Sequence, residues 1–413
     1  MARTDNMNAN NEQQLAFEIS APNVWQRVRG WLMPQQEMLL YDRQLLLLAL
    51  ALMAFGFVMV CSASLPVAER LTGNPFYFAI RHGMYIVAAL TAACCAMFVP
   101  MSLWQQQSGR LLLLGLLMLA AVLVVGHTVN GAKRWFKIGP MTVQAAELAK
   151  LFFYVYIASY LVRRLDEVRE NLKGFIKPLV LLFVAAVLLL LEPDLGTVVV
   201  LSATTIAMLF LAGAKLWQFF AVALTCTLAI VLLIILEPYR MERLMSFRNP
   251  FQDPYGAGFQ LTQSLIAFGQ GNVDGLGLGN SIQKLAYLPE AHTDFIMAVV
   301  AEELGFIGVM LVITLVLAMV LRIMRLGRQA LLEGQPYGGF LAYGIGVWFS
   351  IQAFVNIGVA AGALPTKGLT LPLVSYGGTS LIVSSVAVAI LLRIDYELRL
   401  ARVKVTPGRR QKS

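Results

Sequence analysis

Charge is what this sequence has least of. Asp, Glu, Lys and Arg make up 13% of its 413 residues, against a hydrophobic fraction of 58% and a mean hydropathy of +0.71. A soluble globular domain carries about 25% charged residues, so that class is excluded and the chain reads as a polytopic membrane protein. Cysteine is scarce too. Cys61, Cys94, Cys95 and Cys226 all fall inside apolar runs with no further metal ligands nearby; they read as small core hydrophobes, with no disulfide expected. There is no repeat at a fixed period and no low-complexity segment. Residues 1–43 hold no apolar run long enough for a secretory h-region, so the first span is expected to act as an uncleaved anchor. In that tail Trp25, Val28, Trp31 and Leu32 recur at helical spacing beside Arg27 and Arg29, ahead of Pro34. This pattern fits either a short basic interfacial helix or a disordered tail.

What the chain has in quantity is apolar runs of roughly 17 to 25 residues, the length that crosses a bilayer as a helix. They lie at Leu45–Leu65, Tyr77–Val99, Leu111–His127, Ala145–Val162, Phe175–Leu191, Leu195–Ala212, Leu216–Leu236, Phe295–Leu321, Gly338–Ala361 and Leu373–Leu392. The expected fold is all-α, with ten transmembrane helices spread over residues 44–395, between a tail at 1–43 and a tail at 396–413. An even number of spans puts both termini on one side. About two thirds of the 32 basic residues lie on that side, which the positive-inside rule makes the cytoplasm. The net charge of +9 is thereby absorbed as a topology signal, and nucleic acid drops out as a partner.

The outer connection at 237–293 is far longer than two neighbouring helices need, which marks it as functional or disordered. Its sequence favours order. Phe259, Thr262, Leu265, Ile266 and Phe268 fit an amphipathic helix, and Gly269, Gly271, Gly275, Gly277 and Gly279 permit tight turns. Tyr239–Phe247, with Arg240 and Arg243 one turn apart, is expected to prolong the seventh span beyond the bilayer.

Polar chemistry runs straight from this loop into a membrane helix along Tyr287–Gly305. Glu290, His292 and Asp294 crowd the entry of the eighth span, and Glu302 and Glu303 follow about 12 Å further along if the run is helical. Intramembrane charges are costly and mark function by default. Thr293 or Asp294 is placed to cap the eighth span, and a helix N-terminus would keep the carboxylate ionised. Burial would raise its pKa instead. A raised pKa suits a general base; an ionised carboxylate suits a divalent cation such as Mg2+ or Mn2+. His292 reads either as a group that tunes or ligates, or as a solvated loop side chain.

Elsewhere Glu147 and Lys150 stand at i,i+3 in the fourth span, within pairing distance on one face. Between the fifth and sixth spans, Pro193 ends one helix and Asp194 is placed to cap the next. Glu192, at a helix C-terminus, opposes the dipole. Lys133, Arg134 and Lys137 form an outer basic cluster that Arg240, Arg243, Lys284 and Lys367 are positioned to extend into an anion-binding surface; taken singly, each also reads as a solvated charge. The glycine-rich run G-L-G-L-G-N-S-I-Q-K lacks the order of a P-loop and follows no strand. Ser375, Tyr376, Gly377 and Gly378 are expected inside the tenth span, where small residues let helices approach closely. The ionisable groups thus gather toward the outer half, which argues for chemistry at the outer membrane surface rather than a midplane alternating-access site.

The run N-P-F-Q-D-P-Y-G-A-G-F-Q-L-T-Q-S-L-I-A-F-G-Q-G, with G-L-G-N-S-I-Q-K, L-P-E-A-H-T-D-F-I, E-P-D-L-G-T, L-A-G-A-K-L-W-Q-F and L-P-T-K-G-L-T-L-P-L-V-S-Y-G-G, resembles the SEDS family, its cell-division branch more than its elongation branch. The resemblance covers nearly the whole chain. It implies a peptidoglycan glycosyltransferase that polymerises lipid II at the periplasmic face of the bacterial inner membrane, at the division septum. It further implies a class B penicillin-binding transpeptidase, FtsI, as partner, with the FtsQ-FtsL-FtsB complex and FtsN as activators. The family's catalytic aspartate falls on Asp294, and its intramembrane acid and lysine fall on Glu147 and Lys150. A lipid II flippase and a non-catalytic scaffold for the transpeptidase are the alternative readings. Two departures stand out: Ala145 replaces the usual Pro before the A-E-L step, and Glu192 replaces the usual Gln, which would add a negative charge near the site.

Overall fold

The computed structural model describes residues 41–129, 132–139, 141–236, 238–253, 256, 258–285, 288–365 and 368–405. The Trp25–Pro34 segment, Lys367 and the end of the basic C-terminal tail lie outside the described residues, as do the side chains of Arg240 and Arg243.

Every one of the apolar runs forms a helix: α1 (Arg43–Thr72), α2 (Tyr77–Phe98), α3 (Met101–Val125), α4 (Ala145–Arg163), α6 (Leu172–Leu191), α7 (Leu195–Leu211), α8 (Leu216–Ile235), α11 (Ile296–Leu332), α12 (Pro336–Ala360) and α13 (Gly378–Val405). Among the described residues, eight helices are long and apolar enough to cross a membrane, and α7 is a shorter apolar helix. Where helices outrun the apolar stretches, polar ends account for it. Helix α3 starts at Met101 because Pro100 sets its N-terminus and the S-L-W-Q-Q-Q-S-G-R segment continues the helix toward the cytoplasmic side expected above. Helix α1 is capped by the Asp42 carboxylate, which accepts from the Gln44 and Leu45 N–H groups and pairs with Arg322 of α11. Short helices α5 (Leu165–Glu170), α9 (Pro238–Arg248) and α10 (Phe259–Gly271) fill connections.

The bundle packs through α11 on α12, α2 on α13 and α3 on α4. Helix α8 packs on α7 and α9 and leaves most of its apolar surface outward, the side that faces lipid in a bilayer. One element departs from the all-helical expectation. Between α3 and α4 lies an antiparallel three-stranded sheet, β1 (His127–Val129), β2 (Ala132–Ile138) and β3 (Met141–Gln144), with Trp135 opposite Gln144 and Lys137 opposite Thr142. The basic K-R-W-F-K run is therefore a strand. The segment after α8 is likewise a helix of its own, restarting at Pro238, rather than a prolongation of α8.

The long outer connection is built as expected in outline. Helix α10 is amphipathic, but its fully buried face is Leu261, Thr262, Ser264 and Ala267, with Leu265, Ile266 and Phe268 only half-buried. Small residues allow α10 to approach α11 and α12 closely, and the Ser264 hydroxyl donates to the Ala360 carbonyl at 2.7 Å. Past α10 the chain runs into a break in α11. Gly305 has φ 64° and ψ −162°, which stops the helical hydrogen bonding at this point. The segment 272–277 fills the gap: Leu276 and Gly277 N–H groups donate to the Glu302 and Glu303 carbonyls at 2.9 and 3.0 Å, and Phe306 and Ile307 N–H groups donate to Asn272 and Val273 carbonyls at 3.0 and 3.3 Å. A broken helix inside hydrocarbon is tolerated only where protein re-satisfies its backbone, and this segment does so.

Candidate active site

Asp294 lies half-buried in the turn before α11. The N-cap position of α11 is Phe295 and makes no side-chain cap hydrogen bond, while the Thr293 hydroxyl turns to Glu290, 2.7 Å from its carboxylate. The Thr293 hydroxyl is thus engaged with Glu290. The Asp294 carboxylate rests against the backbone of residue 368, where a Cβ on Gly368 would come within 2.7 Å of Oδ2.

Two amides hold this arrangement from behind. The Asn356 side-chain N–H group donates to the Asp294 carbonyl at 2.9 Å and to the Leu369 carbonyl at 2.6 Å, joining the turn before α11 to the loop before α13. One helical turn earlier on α12, the Gln352 amide donates to the Thr370 carbonyl at 2.8 Å. Its carbonyl accepts from the Lys150 ammonium at 3.0 Å and from the Trp348 indole at 2.6 Å. Lys150 in turn bonds Glu147 at 2.9 Å and sits 5.0 Å from the Trp348 ring centre, an aromatic face that favours a cation. The acid and lysine expected to pair do pair, fully buried, and they reach the loop beside Asp294 through Gln352. Neither Gln352 nor Asn356 was singled out from the sequence. The signal was available as two amides at i,i+4 inside an otherwise apolar helix.

The remaining residues divide by location. His292 is buried, its ring 4.9 Å from Phe78 and 5.3 Å from Tyr376, and its carbonyl accepts from the Tyr376 N–H. It is not a solvated loop side chain. Burial holds its pKa below the ordinary histidine value although Glu290 pulls the other way, so the ring is neutral at pH 7. Tyr376 itself lies in the loop before α13, which begins at Gly378, later than the expected start of the tenth span.

Asp194 caps α7 as expected, accepting from the Thr197 N–H at 3.1 Å and its hydroxyl at 2.7 Å. Glu192 is 1% exposed, and neither of its carboxylate oxygens has a hydrogen-bond partner among the described residues. Its pKa is pushed up to about 8 by burial and then by Asp194, with Arg134 opposing, so at pH 7 it is mostly protonated. Burial thus works against the extra negative charge expected at this position.

The basic set is not one surface. Lys133 and Lys137 are exposed on β2. Arg134 spends its guanidinium on the C-terminal carbonyls of α6, donating to Glu192 O and Pro193 O at 2.7 Å each. Lys284 is buried, 2.6 Å from Glu303, with the Ser62 hydroxyl bonding both. Glu302 accepts from the Ile282 N–H at 2.9 Å and from the Ser281 hydroxyl. The deep carboxylates thus pin 281–284 to the bundle, which removes Lys284 from an exposed anion-binding set.

The metal reading of Asp294 has a direct test in the donor set. Among the described residues there is no group of three or more His, Cys, Asp or Glu side chains placed to hold an ion. Asp294 alone does not make a cation cage of the usual six or more oxygens.

Comparison with known proteins agrees across the chain. The FtsW/RodA/SpoVE family profile, described as "Cell cycle protein", matches residues 42–400. A protein of Idiomarina loihiensis named "Probable peptidoglycan glycosyltransferase FtsW" is 68% identical over 96% of this chain and 98% of its own length. An Escherichia coli protein of the same name is 55% identical, over 91% and 92%. Among solved structures, a chain from work described as "Structural coordination of polymerization and crosslinking by a peptidoglycan synthase complex" superposes with a TM-score of 0.70 at 29% identity, covering 86% of this chain and 97% of that one. The rod shape determining protein RodA of Thermus thermophilus superposes with a TM-score of 0.63 at 28% identity, covering 87% and 97%. With the profile spanning nearly the whole described bundle and curated relatives above half identity, the chain belongs to the FtsW/RodA/SpoVE family of cell cycle proteins.

Proposed function

We propose that this chain is a peptidoglycan glycosyltransferase that polymerises lipid II into glycan strands on the periplasmic side of the inner membrane during septal wall synthesis. The names of its relatives support the activity. The observation that carries the assignment to a site is the half-buried Asp294, its carboxylate against the exposed Gly368 and its main chain backed by a buried polar chain that reaches Glu147. A residue held this way on a helix terminus and two packed helices meets the positional demand of general-base catalysis.

In the reaction, Asp294 removes the proton from the sugar 4-hydroxyl of an incoming lipid II. The freed oxygen bonds to the anomeric carbon of the donor chain, and the bond from that carbon to undecaprenyl pyrophosphate breaks with the electron pair leaving on the phosphate. Charge grows on the pyrophosphate, and basic groups stabilise it: Lys133 and Lys137, exposed on β2, with Arg240, Arg243 and Lys367 as the sequence's further candidates. A divalent cation would find fewer than three carboxylate, imidazole or thiol groups among the described residues, so the substrate's own phosphates would have to supply most of its shell. The likeness to a chain of a peptidoglycan synthase complex supports a transpeptidase partner, for which FtsI is the proposal, with FtsQ, FtsL, FtsB and FtsN acting upstream and both termini in the cytoplasm.

The test is gel analysis of polymer made from lipid II by the purified chain with its transpeptidase. Asp294→Asn protein that elutes and melts like wild type is expected to make no polymer; wild-type polymer from it would refute the assignment.

A further inference from the structure

We infer that Asn356 and Gln352 are positioning residues for the reaction: they set the height of the 368–371 segment against Asp294 and tie it to the Glu147–Lys150 pair. The inference rests on the reading of Asp294 as the base. Both amides are 1% exposed or less on one face of α12, and every donor contact they make is to a backbone carbonyl next to the site. Asn356 holds Asp294 O and Leu369 O with one nitrogen, so the two loops cannot slide past each other without breaking a buried bond. Gln352 holds Thr370 O, and its own carbonyl is fixed by Lys150 and Trp348, leaving the amide no freedom to flip. The Thr370 hydroxyl donates to Ser380 at 2.9 Å, which fastens the same segment to α13.

The consequence falls on the carboxylate. Gly368 lies directly under Asp294 Oδ2, close enough that an added Cβ would be 2.7 Å away, so any rise of the segment moves the oxygen that takes the proton. A displacement near 1 Å costs on the order of 100-fold in turnover when the reacting groups must be aligned. On this account the buried ion pair acts on catalysis without touching substrate. Lys150 fixes Gln352, Gln352 fixes Thr370, and the segment fixes Asp294.

The experiment measures lipid II polymerisation by the chain with its transpeptidase, as kcat and KM separately, beside melting temperature in detergent. Asp294→Asn is run first as the control on the base itself. Gln352→Met and Asn356→Leu keep side-chain volume and delete the donors. Gly368→Ala, at an exposed residue, moves the carboxylate without touching either amide. The expected result is an inactive Asp294→Asn and a fall in kcat on the order of 100-fold in the other three, with KM within about twofold and melting unchanged for Gly368→Ala. If Asn356→Leu does not fold, Gln352→Met and Gly368→Ala decide in the same way. Active Asp294→Asn overturns the base reading and this inference with it. Inactive Asp294→Asn together with wild-type kcat in folded Gln352→Met or in Gly368→Ala overturns the positioning role alone, as does a loss confined to KM.

Discussion

Replacing Glu192 by glutamine keeps the size of the side chain and removes a proton-binding group from a buried position. In the folded chain the carboxyl pKa is pushed up to about 8 from 4.5. Between those limits the native state holds a proton that the unfolded chain has released. Stability from this group is therefore complete below pH 4.5 and declines as pH rises toward 8. Each pH unit inside the window is worth about 1.4 kcal/mol, so from pH 5.5 to 7.5 the wild type should lose roughly 3 kcal/mol, and about 5 kcal/mol over the whole window. The Glu192→Gln variant has no proton to lose at this position and carries no such slope.

Melting in detergent, followed by intrinsic fluorescence at half-unit steps from pH 5.5 to 8.5, reads the difference directly. The two proteins should melt nearly together at pH 5.5 and separate with rising pH, the variant becoming the more stable by several degrees at the alkaline end. Other titrating groups move both curves alike, so only the gap between them reports on Glu192. Parallel curves across the range would show that the carboxyl is ionised and solvated in the native state. The burial, the orphaned oxygens and the raised pKa would then all have been misread.

Three further changes probe the polar interior. Lys150→Met leaves Glu147 buried beside no cation and should cost about 3 to 5 kcal/mol, most of it recovered in the Glu147→Gln/Lys150→Met double variant, as a melting-based double-mutant cycle will show. Gly305→Ala places a Cβ 2.3 Å from the Val273 carbonyl at a φ of 64°; strain of about 1 to 3 kcal/mol should expel segment 272–277, seen as faster hydrogen exchange at Leu276 and Gly277. Lys284→Met strips Glu303 of its cation and should lower stability by roughly 3 kcal/mol while loosening 281–284; unchanged melting would return Lys284 to the exposed anion-binding set.

How much of this was legible follows from range. The helices were readable because a long apolar run in a bilayer satisfies its backbone as a helix: each run did become one, and among the described residues eight of those helices are long and apolar enough to cross a membrane. The Asp194 cap and the Glu147–Lys150 pair were readable because both are local, three residues apart in each case. The β1–β3 sheet was overlooked although its signal was present: Asn130-Gly131 stands between Val129 and Ala132, but K-R-W-F-K is short and charged on both faces, so no apolar alternation drew attention to it. The Gly305 break was masked for a different reason. A single glycine in a helical run costs only about 1 kcal/mol, and what breaks α11 is a segment some thirty residues upstream that arrives to satisfy its backbone.

The site shows why position in sequence and role came apart. A bilayer offers no water to a buried polar group, so each one must find a protein partner or give up its charge. Sequence therefore announces that Lys284, Glu302, Glu303, Gln352 and Asn356 need partners, but the partners lie on other elements: Ser62 on α1 for Glu303, Thr370 for Gln352, Leu369 for Asn356. Groups with several partners, such as Glu303 and Gln352, became struts that fix loops. Glu192, whose carboxyl has no hydrogen-bond partner among the described residues, takes the other course and keeps its proton. Asp294 differs from both in where it lies: its main chain is held while its carboxylate leans on Gly368, a residue open to the outside. A carboxylate whose backbone is immobilised and whose oxygen borders an exposed edge is arranged, unlike those struts, to exchange a proton with something that comes and goes.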